Sequence, residues 1–192
     1  MTNLRCALGV FLFFTCILGL VYPMVTILVG QYLCPYQAGG SLLTIDGQIV
    51  GSSLIAQEFK SDQYFHSRPS AINYNTIASD GSDLAMGSIT LREKIRIQVK
   101  EVAEKNGIPL QTKIPADMVF SSASGLDPHI SMVNALLQMP RVAKARKLSK
   151  KIIYNLISKC FDADLAGIWG MGGVNVLKLN LALDNFGKSI HD

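Results

Sequence analysis

CALGVFLFFTCILGLVYPMVTILV, residues 6–29, decides the architecture of this 192-residue chain: apart from Gly9, Thr15, Gly19, Pro23 and Thr26 every residue in it is apolar, and no charged side chain occurs between Arg5 and Asp46. A helix of that length rises roughly 36 Å at about 1.5 Å per residue, against roughly 30 Å of membrane hydrocarbon. The sequence therefore predicts one transmembrane helix over residues 6–30. A cleaved secretory signal would carry a shorter apolar stretch of about 7–15 residues and a small-x-small cleavage site. Here the run continues through Tyr22, Pro23 and Met24 to Val29, and Gln31-Tyr32-Leu33 ahead of Cys34 lacks the small residues of a lipoprotein site. An uncleaved anchor is the expectation.

Pro23 lies inside the span and asks for a neighbour that re-satisfies the carbonyl it frees. Thr15 and Gly19 are four apart, as are Thr26 and Gly30, with an offset of seven between the pairs. On an unbroken helix all four fall within about 60°, a stripe of small residues that lets another helix approach closely, although Thr and Gly are also simply common in spanning helices. Thr15, Gly19, Pro23, Thr26 and Gly30 are the candidate docking stripe. The α-amino group and Arg5 precede the span and residues 31–45 carry no charge, so the positive-inside tendency keeps residues 1–5 in the cytoplasm and exports the rest.

After a linker over residues 31–44, residues 45–192 suffice for one sizeable core and are too few to suggest two. The net charge of +4 is mildly basic and chooses no partner. Leu42 to Leu54 reads as a hairpin turning at Asp46-Gly47, and Thr90 with Glu93 reads as a capping box opening a helix that stops at Gly107 and Pro109. Met118 to Ala123 is expected as a buried strand. Asp127-Pro128 is expected to open a helix towards Met139, which Pro140 breaks or kinks. Ser149 to Cys160 is expected as a helix and Val174 to Leu179 as a last strand. The fold class is a transmembrane helix plus one mixed α/β (α+β) extracytoplasmic domain. Cys34 and Cys160 are expected to be free thiols, since two cysteines make no disulfide framework.

Candidate chemistry is sparse. Ser124, Asp127 and His129 supply the residue types of a hydrolytic triad, but residues so close in sequence at a helix start diverge in space, so Asp127 reads as a cap and His129 as a hydrogen-bonding or interface residue. Three histidines are too few for a transition-metal site, Asp80-Gly-Ser-Asp83 lacks the later ligands of a calcium loop, and no phosphate-binding glycine pattern occurs; the four glycines of residues 167–173 read as a flexible loop. Arg141, Lys144, Arg146, Lys147, Lys150 and Lys151 form a dense basic cluster, with no acidic residue from Pro128 to Phe161. Without interleaved aromatics before Tyr154 these do not suit nucleic acid, and they read as a solvated face or a contact with anionic partners.

In order along the chain stand Tyr22-Pro23, Gln37-Ala38-Gly39-Gly40-Ser41-Leu42, Gly51-Ser52-Ser53-Leu54-Ile55-Ala56-Gln57, Tyr64-Phe65, Arg68-Pro69-Ser70-Ala71 and Tyr74. They are followed by Ser122 to Ser131, Arg141-Val142-Ala143, Ala145-Arg146, Val174-Asn175-Val176-Leu177 and Leu179 to Asp184. With these the chain resembles the C subunits of the Kdp-type potassium-transporting P-type ATPases of bacteria, the KdpC family, over nearly its whole length. It departs from them at Asp80 to Ser88, where the family usually has Gly-Gly-Ser-Asn-Leu and then a proline-containing stretch, and at Met171-Gly172-Gly173.

The resemblance implies a non-catalytic subunit of the bacterial inner membrane, in a complex that takes up potassium at the expense of ATP. Its implied partners are the ion-translocating A subunit, the ATP-hydrolysing B subunit and a small fourth subunit. The implied role is assembly, with a proposed action as a chaperone that raises ATP affinity; an exported domain cannot itself meet cytoplasmic ATP. No cofactor is expected to bind directly. The interface or structural candidates are Gln57, Phe65, Arg68, Pro69, Ser70, Ser124, Gly125, Asp127, Pro128, His129, Ser131, Arg141, Arg146, Asn175, Asn180 and Asp184. The competing expectations are a membrane-anchored extracytoplasmic hydrolase using Ser124, Asp127 and His129, and a cytoplasmic-facing nucleotide-binding regulator.

Overall fold

The apolar run is helical from end to end, with a widened turn where proline requires one. In the computed structural model, which describes residues 2–109, 111–163 and 172–191, helix α1 (Thr2–Cys16) passes through a π turn (Ile17–Val21) into α2 (Tyr22–Leu33). Residues Asn3–Leu33 form one helix long and apolar enough to cross a membrane. Pro23 has no N–H, and its ring would press on the carbonyl of Gly19 in a regular α-helix. The π turn relieves this, because the N–H of Tyr22 donates to the carbonyl of Ile17, five residues back. The wider turn also carries an extra residue, so it rotates Thr26 and Gly30 relative to Thr15 and Gly19. The alignment within about 60° that an unbroken helix would give is therefore not kept, and the small residues form two patches. Both threonine hydroxyls are satisfied within the helix, Thr15 on Phe11 and Thr26 on Tyr22 at 2.8 Å.

The chain divides into two compact units, residues 1–52 and 53–192. The first ends with a short helix α3 (Pro35–Ala38) and the expected hairpin, β1 (Leu42–Ile45) against β2 (Gln48–Ser52). Its two-residue turn places Asp46 and Gly47 at φ 51° and 79°, the left-handed pair of a type I′ turn. A domain boundary at residue 45 would cut this hairpin in two.

The second unit mixes helices with a three-stranded antiparallel sheet. Its strands lie in the order β3 (His129–Ile130), β5 (Gly173–Asn175), β4 (Phe161–Asp162). Helix α4 (Ile89–Asn106) packs on α5 (Met132–Arg146), which packs on α6 (Lys150–Lys159), which packs on α7 (Val176–His191). The main core joins Phe65, Ile130, Val142, Ile153, Ile157, Val174, Leu179 and Leu183; a smaller one under α4 joins Ala103, Ile108, Met118 and Val119.

Several local expectations are corrected. Helix α4 is capped by Ser88, whose hydroxyl accepts from Leu91 N–H, and Thr90 lies inside the first turn. Residues Ala116–Met118 form a single 3₁₀ turn that drops Met118 and Val119 into the smaller core, not a strand. Asp127-Pro128 does not open a helix. Proline pushes the residue before it into extended backbone, and the Pro128 carbonyl accepts Val176 N–H while His129 and Ile130 pair with Asn175 and Val174. The helix waits for Ser131, whose hydroxyl caps Asn134 N–H at 3.1 Å. Pro140 does not end it either: α5 runs on to Arg146 with Ala135, Val142 and Ala143 buried on both sides of the proline. The last strand stops at Asn175 because its carboxamide oxygen accepts Lys178 N–H at 3.1 Å and caps α7, which buries Leu177, Leu179 and Leu183. The helix over Ser149 to Cys160 is found as expected, with Ser149 as its cap. The glycine loop falls on residues 164–171, outside the described residues, except for Gly172 and Gly173.

Residues 62–66 belong to no helix or strand, yet side chains hold every one of them. Arg141 donates to the Asp62 carbonyl at 2.6 Å and Arg146 to the Gln63 carbonyl at 2.7 Å. Tyr64 donates to Asp184 at 3.1 Å, and the Arg146 guanidinium lies 4.9 Å over its ring. The carboxamide of Asn180 accepts from Phe65 N–H and donates to its carbonyl, at 2.8 and 2.9 Å. Gln138 does the same for His66, both bonds at 2.9 Å.

Asn180→Ala strands two buried main-chain groups, so it is expected to destabilise the chain by about 2–4 kcal/mol; denaturant unfolding of the full chain in detergent micelles, followed by circular dichroism, checks this. His66 gives a pH signature. Burial, then the charges of Arg141 and Lys105, push its imidazole down to about 4 from 6.5, so it stays neutral in the fold. The unfolded chain takes up that proton first. Stability should therefore fall as pH drops from about 6.5 to about 4 and level off below, by roughly 3 kcal/mol, and His66→Gln should flatten this limb of the unfolding profile.

Candidate functional site

The stretch Ser121 to Ser131 meets Arg68 to Tyr74 in one corner of the second unit. The Arg68 guanidinium bonds Asp127 at 3.0 Å and the Ser121 carbonyl at 3.4 Å, and the Arg68 carbonyl accepts from the Tyr74 hydroxyl at 2.8 Å. Ser70 accepts the N–H groups of Ile72 and Tyr74, and the Pro69 carbonyl accepts Ser122 N–H. Gly125 is required here: it sits at φ 68°, and a Cβ would come within 2.6 Å of the Ile72 side chain and 3.0 Å of the Asp80 carbonyl. Gln57 contributes through its carbonyl, which accepts from Ser67 at 3.4 Å.

Ser124, Asp127 and His129 are not joined in a relay of hydrogen bonds. The Ser124 hydroxyl bonds the Ser122 hydroxyl at 3.0 Å and accepts Leu126 N–H at 3.2 Å. One Asp127 oxygen takes Arg68 and the other His129 N–H, leaving the His129 ring 3.8 Å away. The ring instead reaches Asp162 at 3.2 Å, and Asp162 also binds Lys178 at 3.1 Å. Partial burial pushes the Asp162 carboxyl up, but hydrogen bonds from Lys178 and His129 outweigh it and hold the group below its ordinary range. His129 lies on a strand, not in the first turn of a helix, so its partners come from across the sheet. A base about 3 Å from its nucleophile is the geometric minimum for acyl transfer, and the bonds of Ser124 run elsewhere.

The remaining candidates are placed as follows. Ser131 caps α5 and, with Asn134, is gathered by Asp117, which accepts three hydrogen bonds at 2.8–3.2 Å. Asn175 caps α7 and donates to the Ser53 carbonyl at 2.8 Å. Phe65 is fully buried, and Arg141, Arg146, Asn180 and Asp184 are the clamps of residues 62–66. Asp117, Asn134, Gln138, Asp162 and Lys178 escaped sequence reading. A signal existed for two of them: Asn134, Gln138 and Arg141 recur at helical spacing among apolar residues, a polar stripe on a face that is otherwise core. Cys34 is an exposed and Cys160 a half-buried free thiol, and burial pushes the Cys160 thiol up.

Two cavities among the described residues flank α4. One of about 330 Å³ between α4 and the clamped segment is lined by Glu58, Glu101 and Lys105. Another, of about 630 Å³, lies at the carbonyl end of α4, and its Arg141 is committed to Asn106, Asp62 and Gln138.

A family profile described as KdpC, K+-transporting ATPase, c chain, matches residues 4–185. Relatives named potassium-transporting ATPase KdpC subunit are 46% identical over 180 residues in Mycobacterium tuberculosis, covering 93% of this chain and 95% of the relative. One from Caldanaerobacter subterraneus is 43% identical over 172 residues, covering 90% and 89%. A relative named KdpC subunit 2, from Nostoc, is 42% identical over 186 residues, covering 93% and 91%. With a helix long and apolar enough to cross a membrane, its mixed helix and strand unit and this match over almost its full length, the chain belongs to the KdpC family, the c chain of K+-transporting ATPases.

Proposed function

We propose that this chain is a non-catalytic assembly subunit of an ATP-driven potassium uptake complex in the bacterial inner membrane, with its N-terminus in the cytoplasm and residues 53–192 outside. The observation that carries this reading is where the motif side chains spend their hydrogen bonds. Arg68, Ser70, Ser124 and Asp127 tie loops together, Ser131 and Asn175 cap helices, and Arg141, Arg146 and Asn180 hold residues 62–66. A domain so tied presents a fixed surface, the property a brace requires. The span supplies the other half of the attachment, docking through the patches Thr15/Gly19 and Thr26/Gly30 onto helices of the ion-translocating and ATP-hydrolysing subunits, with the small fourth subunit alongside. The domain then braces or gates the ion entrance. Any effect on ATP affinity is transmitted through the span and the partner subunits.

Cys160 decides the orientation. A membrane-impermeant thiol reagent is expected to label it in intact cells of a variant whose other three cysteines are serine; protection until the membrane is opened would place the domain inside. Changing Thr15, Gly19, Thr26 and Gly30 together to Leu is expected to abolish co-purification of the transport subunits while leaving the circular dichroism of the chain unchanged. His129→Ala and Asp127→Ala are expected to lower the thermal stability of the complex, and no serine-reactive phosphonate should label Ser124.

A further inference from the structure

We propose that the corner between α5 and α6 is a docking surface for anionic lipid headgroups. Lys144, Lys147, Lys150 and Lys151 are all exposed there, and none has a carboxylate within ion-pair distance among the described residues. Their two neighbours in the basic run, by contrast, are spent inside the fold, Arg141 on Asn106, Asp62 and Gln138, and Arg146 on Asp184 and Gln63.

Three of the four lysines break a local rule of the fold, while Lys144, in the last turn of α5, suits the helix dipole there. Lys150 and Lys151 occupy the first turn of α6, which contains no acidic residue, so their charges oppose the positive end of the helix dipole. Lys147 closes α5 in left-handed backbone at φ 55°, a position where glycine avoids the steric cost of a side chain. Local rules broken together at one surface mark a place selected for something other than stability. Four unpaired cations in that setting call for an external anion.

The choice of residue favours lipid over protein. Lysine is depleted from protein interfaces, where arginine and apolar side chains carry the contact, whereas a hydrated ammonium on a flexible stem suits a diffuse anionic surface. The exposed side of α6 continues from Lys151 to Tyr154, which flanks the buried face, is 50% exposed and is suited to the interfacial layer. The chain also carries its own membrane anchor: the spanning helix ends at Leu33, and the second unit begins a short way along the chain at Ser53. Tethering raises the effective concentration of headgroups, so modest attraction per charge is enough.

The test uses the full chain with Trp169→Phe and Tyr154→Trp, reconstituted in vesicles of phosphatidylcholine alone or with phosphatidylglycerol, each containing a lipid spin-labelled at the headgroup. Quenching of the tryptophan at position 154 is expected in the anionic vesicles and not in the neutral ones, and should be lost at high salt. Changing the four lysines to Gln is expected to lower the docked-to-undocked ratio at least about tenfold, with circular dichroism unchanged. Equal quenching in both vesicles, or quenching indifferent to the four charges, overturns the proposal. So does an unquenched tryptophan combined with loss of partner subunits from the Gln variant, which would make the corner a protein interface. Because either leaflet of the vesicle offers the same headgroups, the outcome does not depend on which side of the membrane the domain occupies.

Discussion

The second unit depends on two carboxamides that act as a strand. Asn180 on α7 and Gln138 on α5 each give one N–H and one C=O to the main chain of successive residues, Phe65 and His66, as a neighbouring β-strand would. This lets Phe65 enter the core at full burial, although its segment has no strand beside it. A buried backbone amide without a partner costs about 1–3 kcal/mol, so a non-regular segment in a core survives only with such substitutes. Gln138 also binds Asn134 and receives Arg141, so the clamp is continuous with the network that fixes the start of α5.

That dependence explains the division between what sequence reading reached and what it missed. Features held by their own neighbours were legible: the long N-terminal helix from its apolar run, the hairpin from Asp46-Gly47, α6 from Ser149 and the spacing of Ile153 and Ile157. Features decided by distant partners were not. Asp127-Pro128 has the composition of a helix start, but the extended bias before proline and the pairing of His129 and Ile130 with Asn175 and Val174 win. Val174 to Leu179 has the β-branching of a strand, yet one side-chain cap at Asn175 turns the chain into a helix. Local propensity is a weak prior wherever tertiary bonds compete with it.

The motif residues were legible as a set and their roles were not. Sequence order marked Arg68, Asp127, Asn175 and Asn180 as important but could not distinguish joints from reactive groups, because a carboxylate bonded to arginine and one poised for catalysis look alike in sequence. Asp162 and Lys178 were invisible for the opposite reason. Both lie far along the chain from His129 and join its network only because β3 and β4 flank β5 and α7 begins where β5 ends.

The two prolines of the long helices show the same physics resolved in two ways. In the long N-terminal apolar helix the backbone widens into a π turn at Pro23 and carries the cost itself. In α5, Pro140 is bracketed by core contacts, and the helix continues unbroken to the clamp residues Arg141 and Arg146. Those two arginines must reach the carbonyls of adjacent residues, Asp62 and Gln63, from positions more than a helical turn apart. A helix ended at Pro140 would lose the register of both. The packing that keeps α5 helical through its proline is thus the condition for the clamp, and the clamp in turn seats Phe65 in the core.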